Sequence, residues 1–361
     1  MTAYFLYHSI GQYPEKEADI TRAMAGFANV WAAANDQQWG HVLGHRARFI
    51  ERWRALLGAE VNSVTTCENV TQGVHMLVTS LGPETLRGKR ILVAADCFPS
   101  NHFLLTRLQE RFGFTLDTVA ARQGSSWVES EDFLKQWGPD VALALITWVS
   151  STSSHRVDLE ALVAHGRAMG SLVGVDITQA AGLLPFSVTS PAIDFAVSTS
   201  LKWMCGTPGA GILYVSPALT QRCRPELRGW FSQPNPFNWS LDRFEYAPDI
   251  RRFDNGTPAC LPAIASLPAM DWHAAQNHAA ILAQNRRHTE WIMAEAARLG
   301  LCIVTPRAEA RRGGSVMCRM PGGDAAPVVS ALREQGIHAD SRGVVLRLSP
   351  GVITADADIE T

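Results

Sequence analysis

Along the middle of the chain, short and nearly continuous apolar runs alternate with longer stretches whose apolar residues recur every three or four positions. Arg90 to Ala94, Val141 to Thr147, Ser171 to Val175, Phe195 to Ser198 and Ile212 to Val215 read as strands. Val141 to Thr147, rich in Val, Leu and Ile, has the character of a strand buried on both faces. His102 to Phe112 and Asp158 to Met169 read as helices. Alternation of this kind predicts an α/β domain with a mainly parallel sheet.

Upstream, Tyr4 to Leu6 is a short apolar piece that His8 to Pro14 breaks into a loop. Glu15 to Ala34 carries Ile20, Met24, Phe27 and Trp31 at helical spacing. Trp39-Gly40-His41 interrupts, and a second helix is expected from Arg46 to Leu57, closed by Gly58. Val61 to Thr65 reads as a strand. A polar turn follows, with Asn69 and Thr71 as capping candidates, then a helix from Val74 to Leu81.

After about residue 265 the pattern changes. Trp272 to Leu299 reads as one long helix, Ser315 to Met320 as a strand, Ala326 to Gln335 as a helix and Val344 to Leu348 as a strand. The expected division is therefore an N-terminal segment, 1–45, packing with a small α+β domain, 266–361, around a large cofactor-binding domain, 46–265. Asp358 to Thr361 reads as the first turn of a helix, as if the chain were cut short there.

Bulk properties narrow the classes. A chain 47% hydrophobic and 18% charged has ample material for a globular core. A net charge of −2 offers no electrostatic case for nucleic acid or an anionic membrane. No apolar run reaches the roughly 20 residues of a membrane span, and Met1 to Pro14 lacks the pattern of a signal peptide. Seven dispersed cysteines with no C-x-x-C pair point to reduced thiols in a cytoplasm, and no metal-ligand spacing occurs.

Candidate chemistry centres on Ser198 to Trp203 and the glycine-rich Gly206 to Gly211 that follows. Of only four lysines, Lys202 alone lies between two buried-looking strands. Burial disfavours the ammonium form, so its pKa falls and the amine becomes a nucleophile suited to a Schiff base with an aldehyde cofactor, pyridoxal phosphate first. The competing reading is a lysine that snorkels from a strand end, with the glycines serving turns. Phe98, Thr147, Asp176 and Lys202 all fall just past strand C-termini, where open α/β sheets place ligands. Asp176 suits the carboxylate that such a cofactor's ring nitrogen needs, and Phe98 suits a ring stacked on it. Val70 and Thr71, with Thr199 or Ser200, suit its phosphate.

At this point the chain resembles the fold-type I pyridoxal-phosphate enzymes of the class V aminotransferase group, and within them the kynureninase family. Tyr4-Phe5-Leu6 with Ser9-Ile10-Gly11 is similar to that family's Y-F-L-x-N-S-L-G, and Trp39-Gly40-His41 to its Y-G-H. Phe98-Pro99-Ser100-Asn101 resembles F-P-S-D, Asp176 to Gln179 matches D-x-A-H in part, Leu201-Lys202 matches Y-K, and Gly229-Trp230-Phe231 resembles G-W-F. Gly256-Thr257-Pro258 and Arg347-Leu348-Ser349-Pro350 complete the series. The resemblance implies that Lys202 holds the cofactor, Asp176 pairs with its ring nitrogen and Phe98 stacks on it. Val70, Thr71, Asn101, Thr147, Gln179, Thr199 and Ser200 would surround the cofactor. Trp230 and Thr257 would reach the phosphate from a partner subunit, which implies a homodimer. Arg347 would clamp the α-carboxylate of an amino-acid substrate, with Ser9 and His41 lining the substrate side.

Three positions depart from the family pattern: Gln179 replaces a histidine, Asn101 an aspartate and Leu201 the tyrosine before the lysine. The implied reaction is hydrolytic Cβ–Cγ cleavage of kynurenine or an analogue. The alternatives are other class V chemistry (transamination, β- or γ-elimination, desulfuration) or a non-catalytic subunit.

Overall fold

The computed structural model describes residues 3–360. Met1 and Thr2, part of the stretch read for a signal peptide, and Thr361, the end of the final helical turn, lie outside the described residues.

Seven strands form the central sheet, in the order Val64–Cys67, Gly211–Val215, Phe195–Thr199, Leu172–Asp176, Val141–Thr147, Arg90–Ala94 and Thr115–Val119. The five from Phe195–Thr199 to Thr115–Val119 run parallel. Gly211–Val215 runs against both neighbours, because a short loop rather than a crossover helix connects it to Phe195–Thr199. This is the α/β architecture of the sequence reading. The edge strand Thr115–Val119 escaped that reading, because its half-exposed residues make no apolar run.

Neighbouring residues of each strand point to opposite faces. Ala144 and Ile146 join Phe49, Trp53, Leu162 and Leu267 in one apolar layer. Leu143 and Leu145 join Val74, Leu77, Leu105 and Phe112 in the other. Each fully buried Leu, Ile, Val or Phe among them stabilises the fold by roughly 1.5–3 kcal/mol. A third cluster, with Val316, Cys318, Met293 and Leu346, also takes in Ala3 and Phe5 from the start of the chain. Its antiparallel sheet runs Asp340–Arg342, Val345–Leu348, Val316–Arg319 and Cys302–Ile303. Ala3–Tyr4 pairs parallel with Ile337–His338 beside it.

Several expected boundaries move. Trp39, Gly40 and His41 do not interrupt; they form the first turns of a helix, Gln38–Leu57. The long helix expected from Trp272 is two, Leu261–Ala274 and His278–Arg298, and Asn277 caps the second by accepting from the Ala280 N–H at 3.2 Å. The division expected at 265/266 falls inside Leu261–Ala274, whose Ala263, Leu267 and Met270 pack on the main core. Among the described residues no helix is long and apolar enough to cross a membrane.

Candidate active site

Lys202 lies in the loop that reverses the chain between Phe195–Thr199 and Gly211–Val215. The turn is closed by Cys205 N–H to the Lys202 carbonyl (2.7 Å) and Gly206 N–H to the Ser200 carbonyl (2.7 Å), with Cys205 at φ 56. The N-terminal loop packs directly behind it. Gly11 N–H donates to the Leu201 carbonyl at 2.9 Å, and a Cβ on Gly11 would stand 1.9 Å from the Lys202 carbonyl oxygen, so only glycine fits.

The Lys202 ammonium stands 5.5 Å from the centre of the Phe98 ring. Burial lowers its pKa to about 8; Asp176 opposes that shift and Arg347 adds to it. Asp176 ends a fully buried strand and is itself buried. Its carboxylate accepts from the Thr178 N–H (3.0 Å) and from the Asn101 side-chain amide (3.3 Å).

These groups border a cavity of about 320 Å³ at the C-terminal ends of the parallel strands. Val70 and Thr71 reach it from the N-terminus of the helix Val70–Ser80, capped by Asn69, whose side chain accepts from the Gln72 N–H at 2.9 Å. Phe98, Thr147, Asp176, Gln179, Thr199 and Lys202 line it too, with Ser100, Ser151 and Thr178, which the sequence reading had passed over. Their signal was available: each hydroxyl lies within a few residues of a strand end already singled out.

Four buried polar atoms here lack a partner: the hydroxyls of Thr147, Thr178 and Thr199 and the side-chain oxygen of Asn101. A buried polar group left unpaired costs about 1–3 kcal/mol. Thr147, Thr178 and Thr199 all border the cavity, beside a helix N-terminus suited to phosphate, a carboxylate and an aromatic face. That donor and acceptor set fits pyridoxal phosphate.

Other expected residues lie elsewhere. Ser200 does not line the cavity: its hydroxyl donates to the Ala210 carbonyl (2.6 Å) and accepts from the Trp53 indole (3.2 Å). Ser9 sits in the N-terminal turn, donating its N–H to the Leu6 carbonyl at 2.8 Å. His41 packs on His45, ring centres 4.2 Å apart, in a surface groove with Asp271 and Trp272. Its place on a helix, rather than a loop, carries it there. Thr257 borders a second cavity of about 380 Å³ with Arg46 and Asp254, and Trp230 stacks on Trp239. Arg347 is buried, and Asp340 grips it through Nε (2.7 Å) and Nη2.

The chain is 29% identical to kynureninase of Salinispora tropica over 82% of this chain and 72% of that one. It is 27% identical to kynureninase of Xanthomonas axonopodis pv. citri over 96% and 86%. Among solved structures, cysteine desulfurase from Thermococcus onnurineus superposes with a TM-score of 0.88 at 19% identity, covering 99% of this chain and 92% of that one. The cystine C-S lyase C-DES, in complex with its product cysteine persulfide, superposes with 0.88 at 20% identity over 99% and 95%. Residues 28–345 match the family described as aminotransferase class-V, so the chain belongs to the class V aminotransferase family of fold-type I pyridoxal-phosphate enzymes.

Proposed function

We propose that this protein binds pyridoxal phosphate through Lys202 and cleaves the Cβ–Cγ bond of kynurenine, or of an analogue with the same aryl-ketone side chain, by hydrolysis. The carrying observation is the Lys202 amine, its pKa lowered by burial, beside the Phe98 ring in a cavity that also holds Asp176. The curated kynureninases, 24–29% identical, favour the aryl-ketone substrate over other amino acids.

The cofactor, when bound, supplies a ring that accepts electrons from the substrate's α-carbon. The protein's part is positioning and proton transfer. Asp176, oriented by Thr178 and Asn101, would hold a proton on the ring nitrogen, and Phe98 would exclude water from the ring. The N–H groups of Val70 and Thr71 and the Thr199 hydroxyl would hold the phosphate. Nζ of Lys202, uncharged in part near neutral pH, takes the α-proton. Leu201 brings no hydroxyl, and His41, His75 and Tyr246 do not line the cavity, so none of these four residues takes the proton of the attacking water. Gln179 and the apolar Val149 also border the cavity.

The same reading pairs two copies of the chain, with Trp230 and Thr257 completing the partner's phosphate site. Phe237, Trp239 and Leu241, large and exposed on the Trp230 loop, support it. It keeps a large cofactor-binding domain, an N-terminal segment and a small domain, and places the protein in the cytoplasm, where seven free thiols stay reduced.

A second reading, transamination or β/γ-elimination on another amino acid, is favoured by Leu201 and Gln179, which lack a histidine's or tyrosine's proton. Incubation with L-kynurenine, followed by anthranilate fluorescence and alanine release, tests the proposal. Keto acid, pyruvate or sulfide from other amino acids, with no anthranilate at high enzyme concentration, would transfer the function to the second reading.

A further inference from the structure

Arg347 has five N–H groups, and the structure commits three. Nε donates to Asp340 Oδ1 at 2.7 Å, Nη2 to Asp340 Oδ2, and Nη1 to the Ser151 carbonyl at 3.2 Å. One N–H on each terminal nitrogen stays uncommitted. Ser151 borders the cavity that holds Lys202, so Nη1 is bonded to a residue of that cavity's wall. Asp340 is fixed in turn. His8, buried, places Nε2 at 2.8 Å from Asp340 Oδ1 and Nδ1 at 2.6 Å from the Ser349 hydroxyl, which lies 2.6 Å from that of Ser315. A carboxylate has no proton to give, so the imidazole nitrogen facing it carries one, and the other nitrogen lies against the Ser349 hydroxyl. The His8 carbonyl also accepts from the Gln179 side-chain amide at 3.1 Å, and Gln179 borders the same cavity.

We propose that Asp340, held by His8, is a positioning residue that occupies the side-on edge of Arg347 and turns the end-on edge toward the cavity, so that the site selects ligands presenting one carboxylate to that edge. The proposal rests on the reading that Arg347 receives the substrate carboxylate. The opposite role is equally concrete: an internal carboxylate could compete with the ligand for the same cation. Geometry favours positioning, because Asp340 uses Nε, which a carboxylate bound to Nη1 and Nη2 does not need. The neutral state of His8 agrees. Burial pushes its pKa down to about 4, so near neutral pH it adds no second positive charge beside Arg347. Burial tends to raise the Asp340 carboxyl, but the His8 and Arg347 hydrogen bonds outweigh it and hold the group ionised.

The test uses the cofactor-loaded protein and two unreactive probes, 3-phenylpropionate and the uncharged 3-phenylpropan-1-ol, titrated by calorimetry. In Asp340→Asn the Kd of the carboxylate should rise about tenfold, while that of the alcohol stays within about twofold. An unchanged or lower Kd for the carboxylate overturns the proposal, the lower value assigning Asp340 the competing role. Arg347→Met separates the two readings. If it leaves carboxylate binding unchanged, the clamp reading fails; if it abolishes binding while Asp340→Asn has no effect, the positioning proposal alone fails. Should Asp340→Asn not fold, His8→Gln replaces it, with a rise of about threefold expected and no rise counting against the proposal.

Discussion

Replacing Lys202 with methionine should make the cofactor-free protein more stable near neutral pH. The lysine's pKa in the folded chain is about 8, against an ordinary 10.5. Each unit corresponds to about 1.36 kcal/mol, so the difference of 10.5 − 8 sets the penalty for burying the ammonium at roughly 3 kcal/mol. The pH window follows from the direction of the shift. Below pH 8 both states hold the proton, and the folded state carries the whole penalty. Between pH 8 and 10.5 the unfolded chain binds a proton that the folded chain has lost, so wild-type stability rises with pH. The advantage of methionine, an uncharged side chain of similar length, therefore shrinks across that window and is gone above it. For 361 residues an unfolding entropy of about 2.1 cal/mol/K per residue gives about 0.76 kcal/mol/K, so the gain reads as a Tm about 4 °C higher. Thermal denaturation of the two cofactor-free proteins from about pH 6 to pH 11 measures it. Equal melting temperatures at neutral pH, or a gap that persists undiminished above pH 10.5, refute the reasoning.

Other substitutions probe the remaining parts. Gly11→Ala drives a methyl group into the Lys202 carbonyl, so about 1–3 kcal/mol of stability and much of the cofactor loading should be lost; an unaltered urea midpoint with full visible absorbance contradicts this. Asp254→Ala leaves the buried Arg46 guanidinium with only Thr65 and Thr66, at 3.0 Å each, and should cost about 3–5 kcal/mol in denaturant unfolding, a loss below about 1 kcal/mol being the adverse result. Asp176→Asn keeps the fold but removes a negative charge from the wall of the cavity. A fall in kcat/KM of about a hundredfold or more is expected, and near wild-type turnover would remove Asp176 from the mechanism.

The sheet was legible because its central strands are buried on both faces and read as unbroken apolar runs, as in Val141–Thr147. Thr115–Val119 was not, since an edge strand needs no such run. Gly40 and Gly44 hid the start of the helix Gln38–Leu57: both sit on its open face with nothing nearby, where glycine lowers propensity without ending the helix. His41 belongs to that helix too. Within the site, the residues just past strand ends could be named in advance, because strand direction alone delivers them to one edge. Asp340 could not. The pairing of Asp340–Arg342 with Val345–Leu348 sets it opposite Arg347, and the packing of the small sheet against the N-terminal loop brings it to His8. Arg347 was legible as a residue and not as a state, because its partner was invisible.

The loop behind Lys202 has a consequence for the order of assembly. His8 meets Asp340 and Ser349 across 332 and 341 residues, and Gly11 braces the Leu201 carbonyl. Contacts between the two ends of a chain are the slowest to form, since the largest loop must close before they are rewarded. During synthesis the large sheet can collapse and bury its core while the final strand is still unmade. The lysine pocket, however, receives its back wall only when the last strand has emerged and captured the first residues. Competence to take up cofactor should therefore trail the acquisition of secondary structure in refolding, and truncation at either end should abolish loading before it abolishes the fold.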